Sequence, residues 1–166
     1  MNKALFLDRD GVINIDKHGY TYKVDELEFV PGILDFCLLA KQRGYLLVVV
    51  TNQSGIGRGY YTTEDFWTFM NEIQAQMLAS HGLKFDAIYF CQHAPELNCE
   101  CRKPKPGMIL QAIEDLSINP TQSLLIGDKP TDILSATSAG ITKTILFDYN
   151  TECLKNYIYL LNDTIV

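Results

Sequence analysis

The chain has 166 residues, 47% of them apolar and 20% charged, which is the make-up of one globular domain with a full hydrophobic core. The formal net charge of −6 argues against a nucleic-acid partner, because phosphate backbones select for basic faces. A small phosphorylated substrate stays open, since a local basic cluster can serve one.

The first apolar run, Ala4 to Leu7, ends at Asp8 and suits a strand buried on both faces. It is too short for a signal peptide or a membrane helix, and no later stretch reaches spanning length. A cytoplasmic protein with no membrane partner is the expectation. Its five cysteines are then thiols or metal ligands rather than disulfides, with Cys37 and Cys153 serving only in packing. The segment 12–30 is polar and rich in Gly and Tyr, and it is read as a hairpin beside the first strand. PGILDFCLLAKQR, 31–43, reads as a helix with Pro31 near its start and Gly44 as its stop. YLLVVVT, 45–51, is the clearest strand. Thr62 or Thr63 caps a helix that runs to His81 and stops at Gly82. FDAIYFC, 85–91, is a strand, and Pro106 opens a helix through Leu116. SLLIG, 123–127, is a strand; PTDILSATSA is a helix stopped by Gly140; TKTILF, 142–147, is the last strand. The tail from 148 is ambiguous and is given no function.

Strand and helix in alternation predict an α/β fold with a mostly parallel sheet and helices on both faces. Ligands in such sheets bind beyond the carboxyl ends of the strands. That rule selects Asp8 to Gly11, Thr51 to Ser54, Cys91 to Lys105 and Gly127 to Asp132, where the charged and hydroxyl residues gather. Asp8 and Asp10 lie two apart, so their repulsion is expected to raise one pKa and yield a nucleophile and a general acid. A solvated acidic turn is the plainer reading of that stretch alone. Asp128 brings a third carboxylate to the same edge, and a hard cation such as Mg²⁺ takes oxygen ligands. Asp132 is either a favourable charge at a helix N-terminus or a support for the site. The Thr51 hydroxyl and the amides of Asn52 and Gln53 can donate to phosphate oxygens. Lys103 can neutralise a phosphoryl group that a carboxylate must approach, and Arg102 can grip a second phosphate or a sugar hydroxyl.

Taken in order, DRDGV, a threonine ending an apolar strand, a lysine and GDxxxD resemble the four motifs of the haloacid dehalogenase superfamily of phosphatases. The likeness covers about the first 147 residues. FLDRDGVIN, HGY, FVPGI, VVVTNQSGIGRG, CRKPKPGM and GDKPTD look like the heptose bisphosphate phosphatases within it, close to the histidinol-phosphate phosphatases. The resemblance implies a three-layer Rossmann-like fold without a large cap domain. It implies Asp8 as the nucleophile that forms an aspartyl-phosphate, and Asp10 as the acid and then the base. Mg²⁺ would sit on Asp8, the main-chain carbonyl of Asp10 and Asp128. Thr51 and Lys103 would steady the phosphoryl group. Arg102, with His18, Gly19, Tyr20, Asn52, Gln53 and Ser54, would line the pocket of a small phosphorylated sugar. The short APELN insert is more like the histidinol-phosphate enzymes, but HGY, NQSGIGRG and KPGM are longer stretches and favour heptose bisphosphate. A non-catalytic receiver-like module is the rival from another class, and Asp10 argues against it, because a stable phospho-aspartate needs no acid two residues on. No feature demands an oligomer, so a monomer is expected.

Cys91, His93, Cys99 and Cys101 form C-x-H and C-x-C pairs. Three thiolates and an imidazole suit tetrahedral Zn²⁺, and a closed set of four is structural. The expected job of that zinc is to staple the loop that carries Arg102 and Lys103.

Overall fold

The computed structural model describes residues 1–162. Five parallel strands lie in the order β3-β2-β1-β4-β5: β1 Lys3–Leu7, β2 Tyr45–Asn52, β3 Ala87–Cys91, β4 Leu124–Gly127 and β5 Lys143–Leu146. Five helices accompany them: α1 Ile33–Gln42, the single-turn α2 Ser54–Gly57, α3 Thr63–His81, α4 Gly107–Asp115 and α5 Pro130–Ser138.

The unbroken apolar run in β1 has a direct physical cause. Successive side chains point to opposite faces, and both faces are covered. Leu5 and Leu7 pack with Leu47, Val49, Phe36 of α1 and Phe69 of α3. Ala4 and Phe6 pack on the other side with Val48, Val50, Ile109 of α4 and Ala136 of α5. Each fully buried Leu or Phe contributes about 1.5–3 kcal/mol relative to an exposed one.

Thr62 caps α3: its hydroxyl accepts from the Asp65 amide at 3.1 Å, and Asp65 returns a bond to the Thr62 amide at 2.8 Å. Of the boundaries that move inward from the sequence reading, two have a clear cause. α1 begins at Ile33 because Gly32 takes a left-handed φ of 81° and turns the chain there. β3 begins at Ala87 because the Asp86 carboxylate is committed to the Leu47 amide at 2.7 Å and to Lys41. The segment 12–30 is less than a hairpin of strands. Val30 donates to Ile13 at 3.0 Å and Ile15 to Glu28 at 2.8 Å, but only isolated bridges and a 3₁₀ turn at Val24–Glu26 form. No large cap domain stands between β1 and α1. The tail from 148 runs through a 3₁₀ helix, Leu154–Leu161, whose Leu154 and Leu161 join the core; its last four residues lie outside the described residues. Among the described residues no helix is long and apolar enough to cross a membrane.

β1 is central, and the chain leaves it first toward β2 and later toward β4. The crevice beyond the end of β1 is therefore the switch point of the sheet, where such folds bind ligands.

Candidate active site

Asp8 follows β1 directly, and its amide is fixed to Ile126 of β4 at 3.1 Å. Its Oδ1 accepts from the Arg9 amide at 2.8 Å and pairs with Lys103 Nζ at 3.0 Å. Lys103 is buried, and its ammonium has three partners: Asp8, Asp132 Oδ1 at 2.5 Å and the Val50 carbonyl at 2.8 Å. Burial works against its charge, but Asp8 and Asp132 outweigh it and raise its pKa. Burial likewise pushes Asp8 up, yet the charge and hydrogen bond of Lys103 and the Arg9 amide bring its pKa below the ordinary value. Asp8 is thus an ionised carboxylate locked against a cation. Asp132 performs both roles considered for it. Its Oδ2 accepts from the Lys129 amide at 3.0 Å at the start of α5, and its Oδ1 holds Lys103.

The repulsion expected between Asp8 and Asp10 falls instead between Asp8 and Asp128. Burial and then the Asp8 charge push the Asp128 carboxyl up to about 7. Gly11 allows this approach: it has a φ of +82°, and a Cβ there would collide with the Asp128 carboxylate. Asp10 is turned elsewhere. Its Oδ1 accepts from Arg9 Nε at 3.1 Å and Nη2 at 2.8 Å and from Asn14 at 3.1 Å; its Oδ2 accepts from Arg9 Nη2 at 2.9 Å and Gln53 at 3.0 Å. Arg9 is fully buried, with its guanidinium over the Phe69 ring at 4.9 Å.

Asp8, Asp128 and Asp132 each offer an oxygen within 4.8 Å of the others. Both Asp132 oxygens are spent on Lys103 and Lys129, so the donors open to a cation are Asp8 and Asp128. Asp128 Oδ1 is buried without a hydrogen-bond partner, as suits an oxygen awaiting a hard cation.

A cleft of about 360 Å³ opens over these groups. Asp8, Asp10, Gly19, Tyr20, Asn52, Gln53, Ser54, Arg102 and Lys103 line it. Thr51 is buried just beneath, and its Oγ1 accepts from Gln53 at 2.9 Å, which leaves its own hydroxyl proton to donate. The side chains of Asn52 and Gln53 are used differently from the expectation. Asn52 exchanges two bonds with the backbone of Lys103, at 3.1 and 3.2 Å, and so pins the lysine. Gln53 gives both amide protons to Asp10 and Thr51, and its backbone amide goes to Cys91, so none remains for a phosphate. Arg102 Nη1 is buried and unpartnered on the cleft wall. His18 faces Glu26 at 3.2 Å, with its side chain half exposed. Asp16, Tyr61, Lys129 and Thr131 also line the cleft and were not singled out in the sequence. Lys129 stood in plain view inside GDKPTD. Arg9, likewise overlooked, stood inside DRD.

The four expected sulfur and nitrogen ligands do converge. The pairs Cys91–Cys99, Cys91–Cys101 and Cys99–Cys101 are 3.5, 3.1 and 3.4 Å apart, and His93 Nδ1 lies 3.3 Å from Cys101 and 3.7 Å from Cys91. Thiolates about 2.3 Å from a tetrahedral zinc would stand roughly 3.7 Å from one another, so the cluster is a slightly contracted tetrahedron. Burial and the neighbouring Cys101 push Cys91 up to about 12. Burial also raises Cys99, but hydrogen bonds from Cys101 and Cys91 outweigh it and bring that thiol down to about 6.

Comparison with known proteins fits this edge of the sheet. A HAD-hydrolase-like family model matches residues 100–151. D-glycero-beta-D-manno-heptose-1,7-bisphosphate 7-phosphatase of Helicobacter pylori is 50% identical over 149 residues, 90% of this chain and 86% of its own. The chain belongs to the haloacid dehalogenase-like phosphatases. The enzyme of the same name from Pasteurella multocida is 47% identical over 88% of this chain and 82% of its own. Among solved structures, D,D-heptose 1,7-bisphosphate phosphatase of B. bronchiseptica, complexed with magnesium and phosphate, aligns with a TM-score of 0.77. It is 33% identical and covers 82% of this chain and 76% of its own. The chain is therefore a phosphatase.

Proposed function

We propose that this phosphatase removes the 7-phosphate of D-glycero-D-manno-heptose 1,7-bisphosphate through an aspartyl-phosphate on Asp8. The observation that carries the chemistry is the Asp8 carboxylate, fixed through Oδ1 by Lys103 and the Arg9 amide, at the mouth of a cleft with a free guanidinium on its wall. The substrate rests on the names of relatives that share 47–50% of their residues with it.

With Oδ1 held, Oδ2 of Asp8 attacks phosphorus and the bond from phosphorus to the sugar oxygen breaks. Asp10 gives its proton to the departing oxygen. It then takes a proton from the water that attacks the aspartyl-phosphate, which frees Asp8 and inorganic phosphate. Lys103 and the Thr51 hydroxyl offset charge on the phosphoryl oxygens. Asn52 keeps Lys103 in place, and Arg102, with Gly19, Tyr20 and Ser54, contacts the rest of the sugar phosphate; His18, paired with Glu26, is not among the residues that line the cleft. Asp8, Asp128 and the Asp10 carbonyl would hold Mg²⁺, which when bound supplies charge neutralisation between nucleophile and phosphate. Cys91, His93, Cys99 and Cys101 would hold a structural Zn²⁺ that orders the loop ahead of Arg102 and Lys103.

The deciding experiment is phosphate release, with Mg²⁺, from both anomers of heptose 1,7-bisphosphate and from histidinol phosphate. A kcat/KM highest for a heptose bisphosphate supports the reading. A preference for histidinol phosphate would overturn it and make the short APELN insert the better guide.

A further inference from the structure

The polar groups behind Asp10 form a chain that runs from its carboxylate through Gln53 to Tyr61. Tyr61 Oη donates to Gln53 Oε1 at 2.5 Å, and Gln53 Nε2 donates to Asp10 Oδ2 at 3.0 Å and to Thr51 Oγ1 at 2.9 Å. The Gln53 atom facing Asp10 is the nitrogen, which also donates to Thr51 Oγ1. The amide oxygen then faces Tyr61, and the phenol must be the donor. Burial pushes the Tyr61 hydroxyl up to about 12, which keeps that proton on it. The ring itself is held in place. It stacks on Tyr22 at 4.9 Å with planes 14° apart, and Gly55 leaves the space it occupies, since a Cβ there would overlap both Tyr61 and Tyr20.

Asp10 Oδ1 is saturated by Arg9 and Asn14, whereas Oδ2 has only one donor from outside its own loop, Gln53. We propose that Tyr61, acting through Gln53, is a positioning residue that aims Oδ2 of Asp10 at the leaving oxygen. Without the phenol proton the Gln53 amide is free to turn and present its oxygen to the carboxylate, which would drive Asp10 off its line. Tyr61 reaches this chain from the start of the segment that leads into α3, so the leaving-group proton is governed by a residue outside all four motifs.

The proposal rests on Asp10 being the acid, and the test separates the two. Tyr61→Phe, Gln53→Ala, the double variant and Asp10→Asn would be compared on an alkyl phosphate, which needs a proton on its leaving oxygen, and on 4-nitrophenyl phosphate, which needs little. The expected result is a fall in kcat/KM for Tyr61→Phe that is about 5- to 10-fold larger on the alkyl ester, the worth of one such hydrogen bond, and a double variant no worse than Gln53→Ala. Equal losses on the two esters, or additive losses in the double variant, would overturn it. If Asp10→Asn itself shows no leaving-group dependence, the acid assignment falls. If Asp10→Asn shows the dependence and Tyr61→Phe does not, only the relay falls. Should Gln53→Ala fail to fold, Tyr61→Phe across the two esters decides alone, since it removes a single oxygen.

Discussion

The carboxylate cleft and the cysteine cluster sit side by side at one edge of the sheet and solve opposite problems. In the cleft, hard oxygens are kept unequal: Asp8 is locked to Lys103, Asp132 is spent, and Asp128 keeps a buried oxygen without a partner. In the cluster, three thiols and an imidazole converge, all within 4.8 Å of one another. A centre that does chemistry needs an open position and an unbalanced charge, while a staple needs neither. The two meet at Lys103, which lies two residues beyond Cys101 and carries its charge into the cleft.

The largest break in this contrast is Asp8→Asn. It keeps the shape and deletes the proposed nucleophile, so turnover should fall by about four orders of magnitude or more, while the secondary structure holds. Phosphate release and circular dichroism on one preparation check it. Activity within tenfold of the parent would sink the role given to Asp8.

The cluster should respond the other way round. Cys101→Ser should lower bound zinc, measured by elemental analysis, and drop the melting temperature by about 10 °C, the scale of a few kcal/mol in a chain of this size. Turnover should fall by less than in Asp8→Asn, because Lys103 keeps its bonds to Asn52. Unchanged melting and turnover after zinc is stripped would show that the loop needs no staple.

A subtler test lies in the pH dependence of the metal-free protein. Asp128 is raised from 3.8 to about 7, so the folded state holds this proton where the unfolded chain has lost it. Its contribution therefore makes the protein less stable as pH rises from about 4 to 7, and constant above. Asp8, whose pKa is lowered, contributes the opposite slope only at more acid pH. Asp128→Asn should then stabilise the metal-free protein by an amount that grows between about pH 4 and 7 and levels off, as read from urea midpoints. A pH-independent difference would remove Asp128 as the strained group.

Much of this was legible in the chain. β1, β2 and β4 announce themselves because apolar runs buried on both faces cannot be mistaken for amphipathic stretches, and each run leads into residues that line the cleft. The cysteine pairs were equally plain. What could not be read is what depends on distant neighbours. The spacing of Asp8 and Asp10 suggested a local repulsion, but β1 pairs with β4, so the carboxyl that crowds Asp8 is Asp128. Nothing in the spacing of the motifs marks Arg9, which is fully buried. Gln53 looked like a phosphate donor until Tyr61 and Asp10 claimed its amide.

The smallest expected effect concerns the seam between the two regions. Gly57 ends α2, the turn that follows Gln53, and its amide donates to the Gln92 carbonyl at 2.9 Å in the cysteine loop. A Cβ at that position would stand 2.6 Å from the same carbonyl and 3.0 Å from the Ala94 amide, both backbone atoms that cannot step aside alone. Gly57→Ala must therefore push the loop away from the cleft wall, at a cost of about 1–3 kcal/mol. Cys91, His93, Cys99 and Cys101 move together with the loop, so zinc content should stay at the parent value while melting falls by several degrees and KM rises more than kcat drops. If zinc were lost as well, the staple would depend on the cleft wall for its shape, and the two regions would be one cooperative unit rather than two neighbours.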